Sequence, residues 1–164
     1  MYKLTDKLEK QLKRLQSNIQ NFRKDLELLR NGNKHPFLNT QRCVDRLVED
    51  YLKHKNLIVA FDFDNTIYDY NNSGEDFSEV IDLLKECSDF GLTLILYTAQ
   101  ENQSEIDWRV KYCEDLGLNV SYVNESPVMT SSKKPYFNIL LDDRAGLDST
   151  FYQLFDALRI IKKF

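Results

Sequence analysis

The sequence predicts an α/β protein with a doubly wound parallel sheet of about four strands. Four short apolar runs have the length and composition of buried strands, and they cover residues 57–61, 92–98, 119–123 and 137–141. Amphipathic helical segments follow three of these runs, at residues 78–90, 103–116 and 149–162. Continuous apolar strands that alternate with helices are typical of a parallel sheet covered on both faces, and right-handed crossovers then give the doubly wound arrangement.

The predicted helices have recognisable ends. Gly91 and Gly117 end the first two, because glycine readily adopts the left-handed conformation that closes a helix. Ser78 is a candidate N-cap for the first helix, and Asp148 or Ser149 for the last.

Residues 1–54 have a different pattern and are predicted to form a helical hairpin or coiled-coil arm. Apolar residues in the first helix are spaced alternately four and three apart, at Leu8, Leu12, Leu15, Ile19, Phe22, Leu26 and Leu29. Gly32 and Pro36 end that helix, and Asn39 or Thr40 caps a second one at about 41–53. The seam within residues 1–31 can pack inside one chain or join two copies. The α/β domain then covers residues 55–164.

Composition and charge limit the partners. The chain has 164 residues and a net charge of −4, which gives no general attraction for nucleic acids or anionic membranes. A local basic patch is compatible with this net charge. Cys43, Cys87 and Cys113 are an odd number in helical contexts, so we expect no disulfide framework and a cytoplasmic location. No run approaches the roughly 18 apolar residues of a membrane span, so no membrane partner is expected.

Acidic and hydroxyl side chains follow the predicted strands. Asp62 and Asp64 come after the first strand, Thr98 ends the second, and Asp142 and Asp143 follow the fourth. Ligands of such sheets bind at the carboxyl ends of the strands, so we expect these side chains to converge. Carboxylates that converge in a partly buried cleft repel one another unless a cation lies among them, and hard carboxylate oxygens suit Mg²⁺.

This arrangement predicts phosphoryl transfer. Asp62 can attack phosphorus as a nucleophile and form an aspartyl-phosphate. Asp64 can protonate the leaving oxygen and later accept a proton from water. Thr98 offers a hydroxyl to the phosphoryl group, and either Lys133 or Lys134 can supply the positive charge that the reaction needs.

The same residues give the chain a resemblance to the haloacid dehalogenase-like (HAD) hydrolase superfamily. Its D-x-D-x-T motif is matched by "AFDFDNT", and its second motif by Thr98 after an apolar strand. Its lysine precedes the fourth strand here, and its acidic pair is matched by Asp142 and Asp143. The four motifs occur in order, and the resemblance covers about residues 56–160.

A narrower resemblance links "LILYTAQEN", "YVNESP" and "SSKKPYFNILLDDRAG" to small bacterial and phage members of that superfamily. Aligned with them, Lys134 matches the motif lysine, and Gln100 stands where they usually have arginine. The resemblance implies catalytic roles for Asp62, Asp64, Thr98 and Lys134. It also implies Mg²⁺ held by Asp62, by the main-chain carbonyl of Asp64, and by Asp142 with or without Asp143.

The connection after the first motif is too short for a cap domain, so we expect an open site. The resemblance therefore implies a small capless phosphomonoesterase, with a nucleotide, a sugar phosphate or a nucleic-acid end as substrate.

Two alternatives remain: an interaction protein whose coiled coil functions while the α/β domain is a scaffold, and phosphotransfer to an acceptor other than water. Arg144 is expected to pair with the acids, whereas Trp108, Arg109 and Tyr112 are expected to be packing and solvated surface.

Overall fold

The computed structural model describes Lys13 and residues 35–128 and 134–164. The chain divides into two compact units, Met1–Cys43 and Val44–Phe164. In the first unit the described residues include a short 3-10 helix, Pro36–Leu38. The predicted seam lies in residues 1–31, outside the described residues apart from Lys13, so the coiled-coil arm and its pairing stay predictions.

The described helices and strands follow the predicted alternation. The helices are α1 (Thr40–His54), α2 (Ser78–Asp89), α3 (Gln103–Asp115) and α4 (Leu147–Ile161). The strands are β1 (Ile58–Phe61), β2 (Thr93–Leu96), β3 (Val120–Val123) and β4 (Ile139–Leu141).

In the described part of the chain, the four strands form one parallel sheet in the order β3-β2-β1-β4. Strand β1 is central, and the chain continues to β2 on one side and returns to β4 on the other. Hydrogen bonds continue past the strand ends: the Asp62 N–H donates to the Leu141 carbonyl at 2.8 Å and the Tyr97 N–H to the Phe61 carbonyl at 2.8 Å. The carboxyl ends of β1, β2 and β4 therefore lie side by side, and the predicted α/β class is confirmed.

The core explains why β1 and β2 are continuously apolar, whereas β3, at the edge of the sheet, is only partly buried. Alternate residues of β1 and β2 belong to two apolar clusters, as expected when successive side chains point to opposite faces. The larger cluster contains Val59, Phe61, Leu94 and Leu96 with buried residues of all four described helices. The smaller contains Ile58, Ala60 and Ile95.

Several helix ends match the prediction and two do not. The Asn39 side chain accepts the Arg42 N–H at 3.1 Å, so Asn39 caps α1. Ser78 does not cap α2; its N–H instead donates to the Asp76 carboxylate at 2.9 Å. The φ angles of Gly91 and Gly117 are 82° and 83°, as expected where a helix ends.

Helix α4 begins at Leu147, so neither Asp148 nor Ser149 is its cap. The reason lies in the turn before it, where the Arg144 N–H donates to the Asp142 carboxylate at 2.8 Å and the Ala145 N–H to the Asp142 carbonyl at 3.0 Å. Gly146, with φ 81°, then turns the chain directly into the helix.

None of the helices among the described residues has the length and apolar composition needed to cross a membrane.

Candidate active site

A cleft of about 580 Å³ opens at the carboxyl ends of β1, β2 and β4. Five residues predicted from the sequence line this cleft: Asp62, Asp64, Thr98, Asp142 and Asp143. Asn124, just after β3, also contributes to the polar lining. The structure therefore brings together side chains that lie up to 81 positions apart in the sequence, Asp62 to Asp143. This convergence is what the parallel-sheet rule predicts.

Asp62, Asp142 and Asp143 form a compact acidic group. One carboxylate oxygen from each lies within 4.8 Å of the others. The main-chain hydrogen bond from the Asp62 N–H to the Leu141 carbonyl places Asp62 beside Asp142, the residue that follows Leu141. The third is fixed by Thr66, a fully buried residue whose hydroxyl accepts the Asp143 N–H at 3.1 Å.

The acidic group changes the chemistry of Asp62. Partial burial raises the pKa of its carboxyl from 3.8 to about 6, against the effect of the Phe63 N–H, which donates to the carboxylate and lowers the pKa. The negative charges of Asp142, Asp64 and Asp143 contribute smaller parts of this increase. Without a compensating cation, the protein resists ionisation of Asp62.

The donor set fits Mg²⁺. Asp62, Asp142 and Asp143 present hard oxygen ligands, and the cleft leaves space for the water and phosphate oxygens that Mg²⁺ commonly retains. The carboxylate of Asp64 is not part of this group. The role given to Asp64 as a metal ligand through its main-chain carbonyl stays a prediction.

Asp64 has a partner that the sequence interpretation missed. Its two carboxylate oxygens each lie 3.4 Å from Nη2 of Arg109 on α3. Packing and solvated surface were expected for Trp108, Arg109 and Tyr112 together, and Arg109, with 5% exposure, belongs to the packing. A signal existed in the sequence: Arg109 follows Ile106 by three positions and precedes Cys113 by four, which puts it on the apolar stripe of the helix.

An aromatic cluster lies beside this ion pair. The rings of Phe63, Tyr68, Trp108 and Tyr112 contact one another with centroids 5.3–5.9 Å apart. Trp108 keeps 42% exposure. The packing role expected of Trp108 and Tyr112 agrees with these contacts.

Thr98 is 8% exposed, and both of its main-chain polar groups are hydrogen-bonded to one side chain. The Asn124 amide accepts the Thr98 N–H at 2.8 Å and donates to the Thr98 carbonyl at 2.7 Å. The Thr98 hydroxyl oxygen accepts the Gln100 N–H at 3.2 Å, so its own proton can be donated to an anionic oxygen. Asn124 adopts φ 54°, and its place in "YVNESP" was the only sequence signal for it.

Arg144 and Lys134 are the described basic residues that were expected to act near the acids. Arg144 lines the cleft, but in the described part of the chain it forms no ion pair with the acids, so that expectation is wrong. Its main-chain N–H binds Asp142 and its side chain is exposed. Lys134 is also exposed and does not line the cleft, although its neighbour Pro135 does. Lys133 lies outside the described residues.

The side chain of Gln100 is occupied by its own loop. Its amide oxygen accepts the N–H groups of Glu101 and Asn102, both at 3.1 Å. Gln100 therefore stabilises the entry to α3 and is not part of the cleft lining.

No family model matches this chain, and no curated protein matches it. Among solved structures, it is similar to the conserved protein coded by a locus from Bacteroides thetaiotaomicron. The two are 28% identical over 54% of this chain and 77% of the other, with a TM-score of 0.46. We therefore interpret the site from its own side chains.

Proposed function

We propose that the protein is a Mg²⁺-dependent phosphomonoester hydrolase of the HAD type that works through an aspartyl-phosphate. The observation that carries this proposal is the position of Asp62. Its carboxylate shares a cleft with Asp142 and Asp143 at the end of the central strand, and Asp64 and Thr98 line the same cleft. In this proposal Asp62 is the nucleophile, Asp64 is the proton donor, and Asp62, Asp142 and Asp143 are the cation-binding group.

In the first step a carboxylate oxygen of Asp62 attacks phosphorus. A new O–P bond forms and the bond between phosphorus and the ester oxygen breaks. The ester oxygen keeps the electron pair of the broken bond and takes a proton from Asp64. In the second step Asp64 removes a proton from water, whose oxygen attacks phosphorus and releases phosphate from Asp62. Mg²⁺ held by Asp62 and Asp142, with or without Asp143, would offset the negative charge of the carboxylates and the phosphoryl group.

The phosphoryl oxygens need donors. The Thr98 hydroxyl can serve because its oxygen already accepts the Gln100 N–H and its proton is available. The resemblance assigns the positive charge to Lys134, and we retain this assignment as part of the proposal. Arg144 is a second cation close to the cleft.

The cleft is open, and in the described residues no separate domain is inserted between β1 and α2 or between β2 and β3. An open site suits an end group on a large molecule as well as a small phosphate ester. The substrate class therefore remains a nucleotide, a sugar phosphate or a nucleic-acid end.

The direct test is hydrolysis of 4-nitrophenyl phosphate by the purified full-length chain, with Mg²⁺ and with EDTA. We expect turnover only with Mg²⁺, and we expect Asp62→Asn to lower kcat by at least about a thousandfold, because a nucleophile is lost. Asp156→Asn on α4 is the matched control, since it removes the same charge from an exposed site. Full activity of Asp62→Asn, or no turnover on a broad panel of phosphates, would reject the proposal and favour the scaffold alternative.

A further inference from the structure

The carboxylate of Asp64 is held by one side chain. Nη2 of Arg109 lies 3.4 Å from each of its oxygens, and no other side chain in the described residues forms a hydrogen bond or ion pair with it. The Asp64 side chain keeps 34% exposure, so the face that is turned away from Arg109 is open to the cleft. Arg109 is therefore the described side chain placed to orient Asp64.

Arg109 is itself fixed from several sides. Its Nη1 donates to the main-chain carbonyl and to the carboxylate of Glu105, both at 3.3 Å. The guanidinium lies 5.0 Å from the centroid of the Phe63 ring and 5.6 Å from that of Trp108. Only 6% of the side chain is exposed, so the group has little freedom to turn.

Burying this guanidinium has a cost, which indicates a role beyond filling space. Its Nε is buried and has no hydrogen-bond partner in the described residues. An apolar residue at this position of the stripe would avoid the desolvation of a charged group. The arginine instead donates hydrogen bonds to one exposed acid, Glu105, and to one acid of the cleft, Asp64.

We propose that Arg109 is the positioning residue for Asp64, aligning its carboxyl group with the ester oxygen that leaves phosphorus. This inference rests on the proposed function. As the P–O bond breaks, the proton moves from the Asp64 carboxyl to the leaving oxygen, which keeps the bonding electrons. The carboxylate that remains pairs with Arg109, whose Nη2 contacts both of its oxygens without taking part in the transfer.

The dependence of rate on the leaving group separates this role from a purely structural one. Nitrophenolate leaves without much help from an acid, whereas an alkoxide needs a well-placed proton. We expect Arg109→Met to lower kcat/KM for glycerol 2-phosphate by about 10- to 100-fold, because small misplacements of a catalytic group have effects of this size. The ratio kcat/KM is compared because it reports only the steps through formation of the aspartyl-phosphate, whereas kcat also contains the water-activation step that is common to both esters. For 4-nitrophenyl phosphate the expected loss is less than about threefold.

Four further variants complete the experiment. Arg109→Lys keeps a charge but has one nitrogen in place of the two that bind Glu105 and Asp64 separately, so its loss on glycerol 2-phosphate should be intermediate. Arg159→Met is the matched control, because Arg159 also stacks on an aromatic ring, 4.5 Å from the Phe155 centroid, but does not line the cleft. In the Asp64→Asn background, adding Arg109→Met should cause no further loss on glycerol 2-phosphate.

Equal losses of activity on the two esters would overturn the positioning role and leave the hydrolase proposal intact. The same holds if Arg109→Met lowers activity on glycerol 2-phosphate by as large a factor in the Asp64→Asn background as it does in the wild type. A wild-type protein inactive on both esters would overturn both. Thermal unfolding of each variant checks folding, and if Arg109→Met does not fold, Arg109→Lys and its double variant with Asp64→Asn decide the question by the same two criteria.

Discussion

Asp62 is predicted to reduce the stability of the metal-free protein. Its pKa is 3.8 in an ordinary environment and about 6 in the folded state, mainly because of burial. The folded protein therefore binds this proton more tightly than the unfolded chain does. The free energy of unfolding should fall as the pH rises from about 4 to about 6 and then level off, as far as this group is concerned.

Asp62→Asn removes the charge and keeps nearly the same shape. The full pKa difference corresponds to about 3 kcal/mol. Because the carboxylate is only half-buried, solvent screening reduces the expected gain to about 1–2 kcal/mol at pH 7.5. At pH 4.5 the wild-type carboxyl is largely protonated in the folded state, and about a third of the gain should remain.

The assay is urea unfolding in EDTA at pH values from 4.5 to 7.5, followed by circular dichroism. Asp69→Asn is the control of opposite sign. The N–H of Ser73, with further hydrogen bonds from Gly74 and the Ser73 hydroxyl, lowers the pKa of Asp69, so its contribution is present at neutral pH and disappears as the pH falls through its folded-state pKa. A variant Asp62→Asn that is no more stable than wild type at pH 7.5, or whose gain does not change with pH, would refute the reasoning.

Three further predictions concern other residues of the proposed site. Thr66→Val leaves the Asp143 N–H without its partner and should lower the free energy of unfolding by about 1–3 kcal/mol, measured in urea, and weaken Mg²⁺ binding in calorimetry. In Asn124→Gly the glycine can adopt the positive φ, but both side-chain hydrogen bonds to Thr98 are lost, so kcat/KM for 4-nitrophenyl phosphate should fall about tenfold. An unchanged value would mean that Thr98 does not need these hydrogen bonds to be positioned. Lys134→Ala should lower kcat/KM by at least about tenfold, whereas Lys111→Ala, an exposed control that pairs with Asp115, should not.

The fold and the acidic group could be predicted because both follow from local pattern and one topological rule. Continuous apolar runs identified β1 and β2, and parallel order placed Asp62 near Asp142 without any knowledge of distance. The start of α4 could not be predicted in the same way. Its turn is closed by hydrogen bonds to Asp142 and by Gly146, and standard capping preferences pointed to later residues.

The contacts that orient the site were harder to infer because they join side chains far apart in the sequence. Arg109 lies 45 positions from Asp64, and Asn124 lies 26 from Thr98. Each residue type is ordinary on a surface, so composition gave no reason to select it. Arg144 shows the reverse error: a cation beside acids in sequence was expected to pair with them, but the turn directs its N–H, and not its guanidinium, to Asp142.

The central claim is that Asp62 accepts a phosphoryl group within a cation-binding acidic cluster. The most direct measurement is a crystal structure of the full-length protein with Mg²⁺ and fluoroberyllate, a mimic of a phosphoryl group on a carboxylate. The account predicts beryllium bonded to an Asp62 oxygen, a metal ion contacting Asp62 and Asp142, and the Thr98 hydroxyl on a fluoride. Fluoroberyllate bound away from Asp62, or a cleft that takes up neither the metal nor the mimic at saturating concentrations, would contradict it.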